Sequence, residues 1–283
     1  MTAQYKTLEL ARDGAVATVW MNRPEVFNAF DEQLIAELTE LCCQLDHDDS
    51  VRVVVLAGRG RHFSAGADLN WMQRAARYSE AENLADARAF AGMLRTLFNL
   101  SKPTIARVHG AALGGGTGLT AACQMAIASD DAVFATSEVK FGIIPAVISP
   151  YVLQAIGPRQ ALRYFQSGER IHAERALAIG LVSEVVPTDQ LDARVAALAD
   201  ALCSGGPHAQ HAARALISAI HGRPLNGQTD EDTAQRIARQ RATAEAREGI
   251  AAFLHKPPSI CLTSVLAFIY PPHNHTSRLC QNR

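Results

Sequence analysis

Two hydrophobic periods alternate along the chain. In "YKTLELARDGAVATVWMNRP" two short runs of apolar and β-branched residues flank Asp13-Gly14, the dipeptide that most favours a tight turn, so the pattern predicts an opening β-hairpin. From Asp31 the period lengthens: Leu34, Leu38, Leu41 and Leu45 recur every three to four positions, the stripe of an amphipathic helix with Asp31 as its N-cap. "VRVVVLAG", residues 51–58, is a near-continuous β-branched run of the kind that forms a strand covered on both faces.

A second cycle follows, with a predicted helix at about 79–100, a buried strand in "KPTIARVHG", and a helix over about 113–123 opened by three glycines. "MAIASDDAVFATSEVKFGI" predicts a strand, a turn at Asp130-Asp131, and a second short strand that carries Glu138. From about Ser149 the strand patterns fade into Ala-rich helix, interrupted at Gly157-Pro158 and Gly206-Pro207. The recurring order is strand, strand, helix. The expected organisation is an α/β core over residues 1–200, a helical region over 201–258, and an atypical, poorly ordered tail over 259–283, where β-branched residues, prolines and histidines replace the helical pattern.

Composition narrows the function classes. Apolar residues make up 48% and charged residues 19% of 283, with a net charge of −1, an ordinary globular profile without the basic excess expected of a nucleic-acid binder. The cysteines Cys42, Cys43, Cys123, Cys203, Cys261 and Cys280 are dispersed, without metal-site spacing. No apolar run reaches membrane-span length and "MTAQYKTLEL" has no signal-peptide pattern, so the expectation is a cytoplasmic protein with no membrane or nucleic-acid partner.

Chemistry concentrates in two glycine segments. "FSAGADL" passes through Gly66 into Ala67, Asp68 and Leu69, and "LGGGTGL" passes through Gly114, Gly115 and Gly116; each is expected to run from a buried strand into a helix. Backbone N–H groups at a helix start lack internal partners and favour a negative oxygen, and glycine allows close approach. Taken singly, such a segment reads equally as a packing turn; taken together, two donors could form an oxyanion hole. Neither segment fits a phosphate loop, a dinucleotide fingerprint or a serine-nucleophile elbow, which leaves Ser64 without a nucleophile's context. His208-x-x-His211 and His273-x-His275 lack the further ligands of a metal site, and His62 and His109, within the motif loops, read as packing or hydrogen-bonding groups rather than proton-transfer groups.

"NRPEVFNAF", "HFSAGADL", "VHGAALGGGTGL", "FATSEVKFGIIPA" and "SGERIHAERALAIGLVSEVVP" resemble, in order and spacing, the enoyl-CoA hydratase/isomerase family, the crotonase superfamily, over about residues 5–257. Within it, "GRGRHFSAGADLNWM" and "PAVISPYVLQAIG" resemble the methylglutaconyl-CoA and isohexenylglutaconyl-CoA hydratases. The resemblance implies a spiral of strand-strand-helix units with a helical C-terminal oligomerisation region, a homotrimer or a hexamer of paired trimers, an acyl-CoA substrate, and no cofactor or metal. It places the thioester oxygen on the N–H groups of Ala67 and Gly115, with Gly66 and Gly114 beside them, and places Ala65, Asp68 and Leu69 beside the CoA. Phe253 and Lys256 would reach CoA near the C-terminus. Trp71, Met72 and Tyr78 could line the acyl pocket, though near-helical spacing fits core packing as well; Lys140 and Arg77 could meet a substrate carboxylate or be solvated surface.

The resemblance also implies a pair of glutamates that, in most hydratases of the family, hold and activate the water. Here the second position is Glu138 and the first is Gly118, three residues beyond Gly115. Glu138 is therefore the expected general acid/base, with its pKa raised by burial, and the space left at Gly118 is expected to be empty and to admit a branched acyl group. An isomerase or other enolate-forming acyl-CoA lyase would use the same oxyanion hole, and the missing glutamate also fits a non-catalytic acyl-CoA-binding or assembly subunit.

Overall fold

A computed structural model describes residues 5–255. The expected tail and Lys256 lie outside the described residues. The described residues divide into two compact units at the His211–Ala212 junction. In the first, the hairpin pairs β1 (Leu8–Asp13) antiparallel to β2 (Val16–Met21), and α1 (Glu32–Asp46) begins where predicted, with the Asp31 side chain accepting from Leu34 N–H. Then come β3 (Val53–Gly58), α2 (Leu69–Ala75), α3 (Glu80–Asn99), β4 (Thr104–Val108), β5 (Ala111–Leu113), α4 (Gly115–Ala122), β6 (Met125–Ser129) and β7 (Val133–Ala135). A bent helix α5 (Ser149–Ser167) precedes β8 (Ile171–His172), α6 (Ala173–Ala178), β9 (Glu184–Val186), α7 (Leu191–Cys203) and α8 (Pro207–Ile220). The division falls inside α8, after His211, and the second unit holds the rest of α8 with α9 (Gly227–Arg241) and α10 (Ala244–His255).

One sheet has the order β1-β2-β3-β4-β6-β9, parallel apart from the hairpin; the other is β5-β7-β8. Successive side chains of a strand face opposite ways. Accordingly, Val54 and Leu56 join the main core with α1 and α3, whereas Val53, Val55, Ile105 and Ile127 pack with Leu191, Val195 and Ala199 of α7. All six residues of β3 are buried, which is why the sequence shows no polar alternation there.

Three expectations change. Strands do not end near Ser149, because β8 and β9 add short edges of two and three residues, too short to leave a period-two pattern. Leu113 closes a strand, and the helix starts at Gly115 after Gly114, whose φ is 49°. Glu138 is not on a strand: β7 ends at Ala135, and Glu138 opens a single 3-10 turn, Glu138–Phe141, closed by Gly142 at φ 74°. The predicted break at Gly157-Pro158 is a kink inside α5, where Gly157 takes φ 71°, a region that glycine alone enters without strain.

Candidate active site

The two glycine segments come together by backbone pairing. Single-residue parallel bridges join Phe30 to Ala67 and Ser64 to Ala112. Ser64 N–H donates to Ala111 O at 3.0 Å and Leu113 N–H donates to Ser64 O at 2.9 Å, while Phe30 N–H donates to Gly66 O at 2.7 Å. A methyl group on Gly66 would stand 2.7 Å from Leu113 O and 3.6 Å from Gly115 N, so the first segment passes directly over the start of α4.

Among the described residues the N–H groups of Ala67 and Gly115 find no acceptor, although their neighbours Ala65, Gly66, Asp68 and Gly114 all donate. Their surroundings differ. Gly115 is the first residue of α4 and has the unpaired donor of a helix start. Ala67 lies before α2, because the Asp68 carboxylate caps that helix by accepting from Asn70 and Trp71 N–H at 2.8 and 3.3 Å. The expectation that both donors open helices therefore holds only for Gly115; Ala67 N–H projects from the bridge to Phe30.

Glu138 is brought to the same place through Ala135. The Ala135 carbonyl accepts Gly114 N–H at 2.8 Å and shares the Thr117 hydroxyl hydrogen, at 3.0 Å, with Ala112 O at 2.7 Å, and Glu138 follows three residues later. Its Oε1 would lie 3.3 Å from a β-carbon on Gly114, and its Oε2 is buried without a hydrogen-bond partner. Burial pushes the carboxyl above its ordinary range, with its own backbone N–H partly opposing. Such a group holds a proton more readily than a solvated glutamate and, once ionised, is a stronger base.

Each glycine of the second segment faces a different neighbour. Gly114 faces Glu138; a methyl on Gly115 would meet Phe30 at 2.2 Å and Phe90 at 3.0 Å; one on Gly116 would meet Ser64 O at 2.6 Å. The expected empty space at Gly118 is not there. A β-carbon at this position would lie 2.2 Å from Cγ2 and 2.8 Å from Cβ of Ile148, a buried residue at the start of α5. An apolar side chain from the next helix fills the volume that a longer side chain on α4 would need.

A cavity of about 390 Å³ opens beside Ala65 and Leu113, lined also by Phe27, Arg61, His62 and Arg170. Of the residues expected near CoA, Ala65 lines it. Asp68 turns inward, where its Oδ2 accepts from Arg23 at 3.0 Å, and Leu69 projects outward at 75% exposure. Trp71 is buried: its ring N–H donates to Asp86 at 3.0 Å and its ring stands edge-to-face with Phe90, centroids 6.5 Å apart, so it backs the phenyl wall behind Gly115. Phe253 is exposed on α10 in the second unit, and Arg77 and Lys140 are exposed in the first. Among the described residues no three histidine, cysteine or acidic side chains gather as a metal site, and no helix is long and apolar enough to cross a membrane. Sequence reasoning missed Phe90, Ile148, Arg23 and Arg170. Their roles arise from contacts between distant segments, although Arg23, Ile148 and Arg170 lay inside quoted motifs.

Comparison with known proteins completes the site's context. The family model described as enoyl-CoA hydratase/isomerase matches residues 11–259. The crotonyl-CoA hydratase of Syntrophomonas wolfei is 32% identical, with 89% of this chain and 96% of that protein aligned. The 2,3-dehydroadipyl-CoA hydratase of Escherichia coli is 33% identical, with 88% and 96% aligned. A solved enoyl-CoA hydratase from Shewanella pealeana superposes with a TM-score of 0.84 at 39% identity, covering 89% of this chain and 94% of that one. The α/β fold with strand-strand-helix units is thus the crotonase fold, and the chain belongs to the enoyl-CoA hydratase/isomerase family.

Proposed function

We propose that the protein is an enoyl-CoA hydratase acting through an enolate held by backbone N–H groups. The observation that carries this reading is the Glu138 carboxylate beside Gly114, its Oε2 buried without a hydrogen-bond partner among the described residues, next to the two donors of Ala67 and Gly115 that make no internal bond there. Water, deprotonated by Glu138, adds to C3 of the 2-enoyl thioester, and the C2=C3 π electrons move onto the thioester oxygen as an enolate. Ala67 and Gly115 N–H hold that oxygen; the proton then passes from Glu138 to C2. The net change is the addition of one water, which calls for no redox step or metal. In comparable sites one oxyanion donor contributes about 2.7–4 kcal/mol to the transition state.

The CoA portion fits the cavity beside Ala65, where Arg61 and Arg170 offer positive charge to its phosphates. A branched 3-methylglutaconyl-type acyl group is the favoured substrate on the likeness of the segments around Asp68 and Ile148. Because Ile148 fills the space at Gly118, the branch must be housed elsewhere. Trimeric or paired-trimer assembly is supported by the exposed Phe141, Ile143 and Ile144 that follow Glu138, an apolar surface suited to a second copy; sedimentation measures it.

The test is hydration of a thioester panel that sets 3-methylglutaconyl-CoA beside crotonyl-CoA. Turnover that disappears in Glu138→Gln supports the reading, and tight binding without turnover marks a non-catalytic acyl-CoA binder. A second reading, double-bond isomerisation, draws on the same lone carboxylate, since one base can move a proton between C2 and C4; formation of the 3-enoyl thioester in the panel would favour it.

A further inference from the structure

His62 lies between the two backbone segments of the site. Its Nδ1 accepts Ala111 N–H at 3.0 Å, so the ring is neutral and carries its proton on Nε2. Ala111 is the first residue of β5, which leads through Leu113 into Gly114 and Gly115, and no strand accepts this N–H. On the other side the His62 ring packs edge-on against Phe27, with centroids 5.1 Å apart. The Phe27 carbonyl accepts Ala65 N–H at 2.9 Å, two residues before Ala67. A β-carbon on Gly110 would lie 2.7 Å from His62 Nδ1 and 2.4 Å from Arg61 O, so the approach leaves no room for a side chain.

We propose that His62 is a positioning residue for the reaction, a clamp whose unprotonated Nδ1 holds strand β5 against the Arg61–Ala67 loop and thereby sets the spacing of the Ala67 and Gly115 donors. The inference rests on reading those two N–H groups as the oxyanion site. Protonating Nδ1 would set one N–H against another and release Ala111. The groups facing the ring favour the neutral form on balance. Burial opposes the charge, and Arg61 and His109 oppose it as well, whereas Asp131 favours it; Arg170 adds positive charge across the shared cavity. His109 is itself held neutral, accepting from Arg107 on Nδ1 at 2.9 Å and donating to Gly60 O at 2.9 Å. The clamp therefore opens only on the acid side of the ordinary histidine value of about 6.5.

Asparagine places an acceptor oxygen where histidine has Nδ1 but does not titrate, which allows a paired test. kcat and KM are measured from about pH 5 to 8.5 for the wild type, His62→Asn and His62→Ala, with amide exchange at Ala111 followed by NMR. His62→Ala is expected to lower kcat about ten- to hundredfold, as small misplacements of reacting groups do, with KM within about threefold and Ala111 exchanging fast at every pH. His62→Asn is expected to keep most of kcat at pH 8, to lose the histidine step of the acid limb, and to protect Ala111 throughout. An unchanged kcat in His62→Ala, an unaltered acid limb in His62→Asn, or Ala111 exchange in the wild type that does not respond to ring protonation would overturn the proposal. If His62→Ala does not fold, the comparison of wild type with His62→Asn decides. A wild type that hydrates nothing in the panel refutes the hydratase reading, while the Ala111 exchange pattern still tests the clamp.

Discussion

Gly118 and Ile148 form a size-complementary pair, and adding one methyl group tests it. In Gly118→Ala the new carbon would stand 2.2 Å from Ile148 Cγ2, about 1.5 Å inside an ordinary carbon–carbon contact of about 3.5–4.0 Å. Overpacking of this kind costs about 1–3 kcal/mol, against a gain of about 1 kcal/mol from alanine's better helix propensity. A net loss of about 1–2 kcal/mol is expected, because α4 is buried here and Ile148 is 2% exposed. Ile148→Ala alone should cost about 2–5 kcal/mol through the cavity it leaves. In the double variant the added methyl enters that cavity, although Ile148 Cβ still lies at 2.8 Å. A favourable coupling of about 1–2 kcal/mol is therefore expected rather than the full sum of relief. Urea unfolding of the four proteins measures it. Additive losses within about 0.5 kcal/mol would mean that the two residues do not share one volume. A corollary concerns chemistry: Gly118→Glu cannot install a second carboxylate unless Ile148 is reduced as well.

Glu138→Gln is expected to lower kcat about 10²–10⁴-fold while raising stability at pH 7 by about 1 kcal/mol, because it removes the negative charge from a carboxylate whose Oε2 is buried without a partner. The folded pKa is raised, so the group favours folding below its ordinary value near about 4.3 and loses that contribution as pH rises through the folded value. The stability gain should therefore grow over that window, as thermal unfolding of both proteins at several pH values would report; a gain over the wild type no larger at pH 7 than at pH 4 contradicts it. Gly66→Ala meets Leu113 O at 2.7 Å from a φ of 89°, so kcat is expected to fall at least about tenfold in the hydration assay, and wild-type turnover would exclude the proposed position of this segment. Asp68→Ala should cost about 1–2 kcal/mol, since its carboxylate caps α2 and meets Arg23. Burial raises its pKa, but the N–H groups of Asn70 and Trp71 and the Arg23 guanidinium outweigh that and hold it low. The wild type's advantage is thus present above about pH 4 and fades as pH falls through the lowered value; a difference in unfolding midpoint that does not shrink as pH is lowered below about 4 would refute the linkage.

Local features were legible where one segment decides its own structure. Asp13-Gly14 marks the hairpin turn, and Asp31 with the leucine stripe marks α1, because turn geometry and helix burial are written within a few residues. Glu138 could be singled out by resemblance, but its placement depends on Ala135 receiving two donors from α4, a contact between segments about twenty positions apart. The same limit explains Gly118. A missing side chain reads as vacant space in a one-dimensional comparison, whereas close packing lets Ile148 from α5 take the volume. Asp68 misleads in another way: a carboxylate in a glycine motif suggests a ligand contact, and only the structure reveals it turned back onto Asn70, Trp71 and Arg23.

The two proposed donors belong to Ala67 and Gly115, and both N–H groups are backbone. Truncating side chains to alanine therefore cannot delete either: Ala67 is already alanine, and Gly115 can only grow, into Phe30 at 2.2 Å. A conventional alanine scan would pass over the groups proposed to carry the most transition-state charge and would report Gly115 as a folding defect. The informative perturbations alter the backbone itself, such as an ester in place of the amide at Ala67, which removes the hydrogen and leaves every side chain as it was.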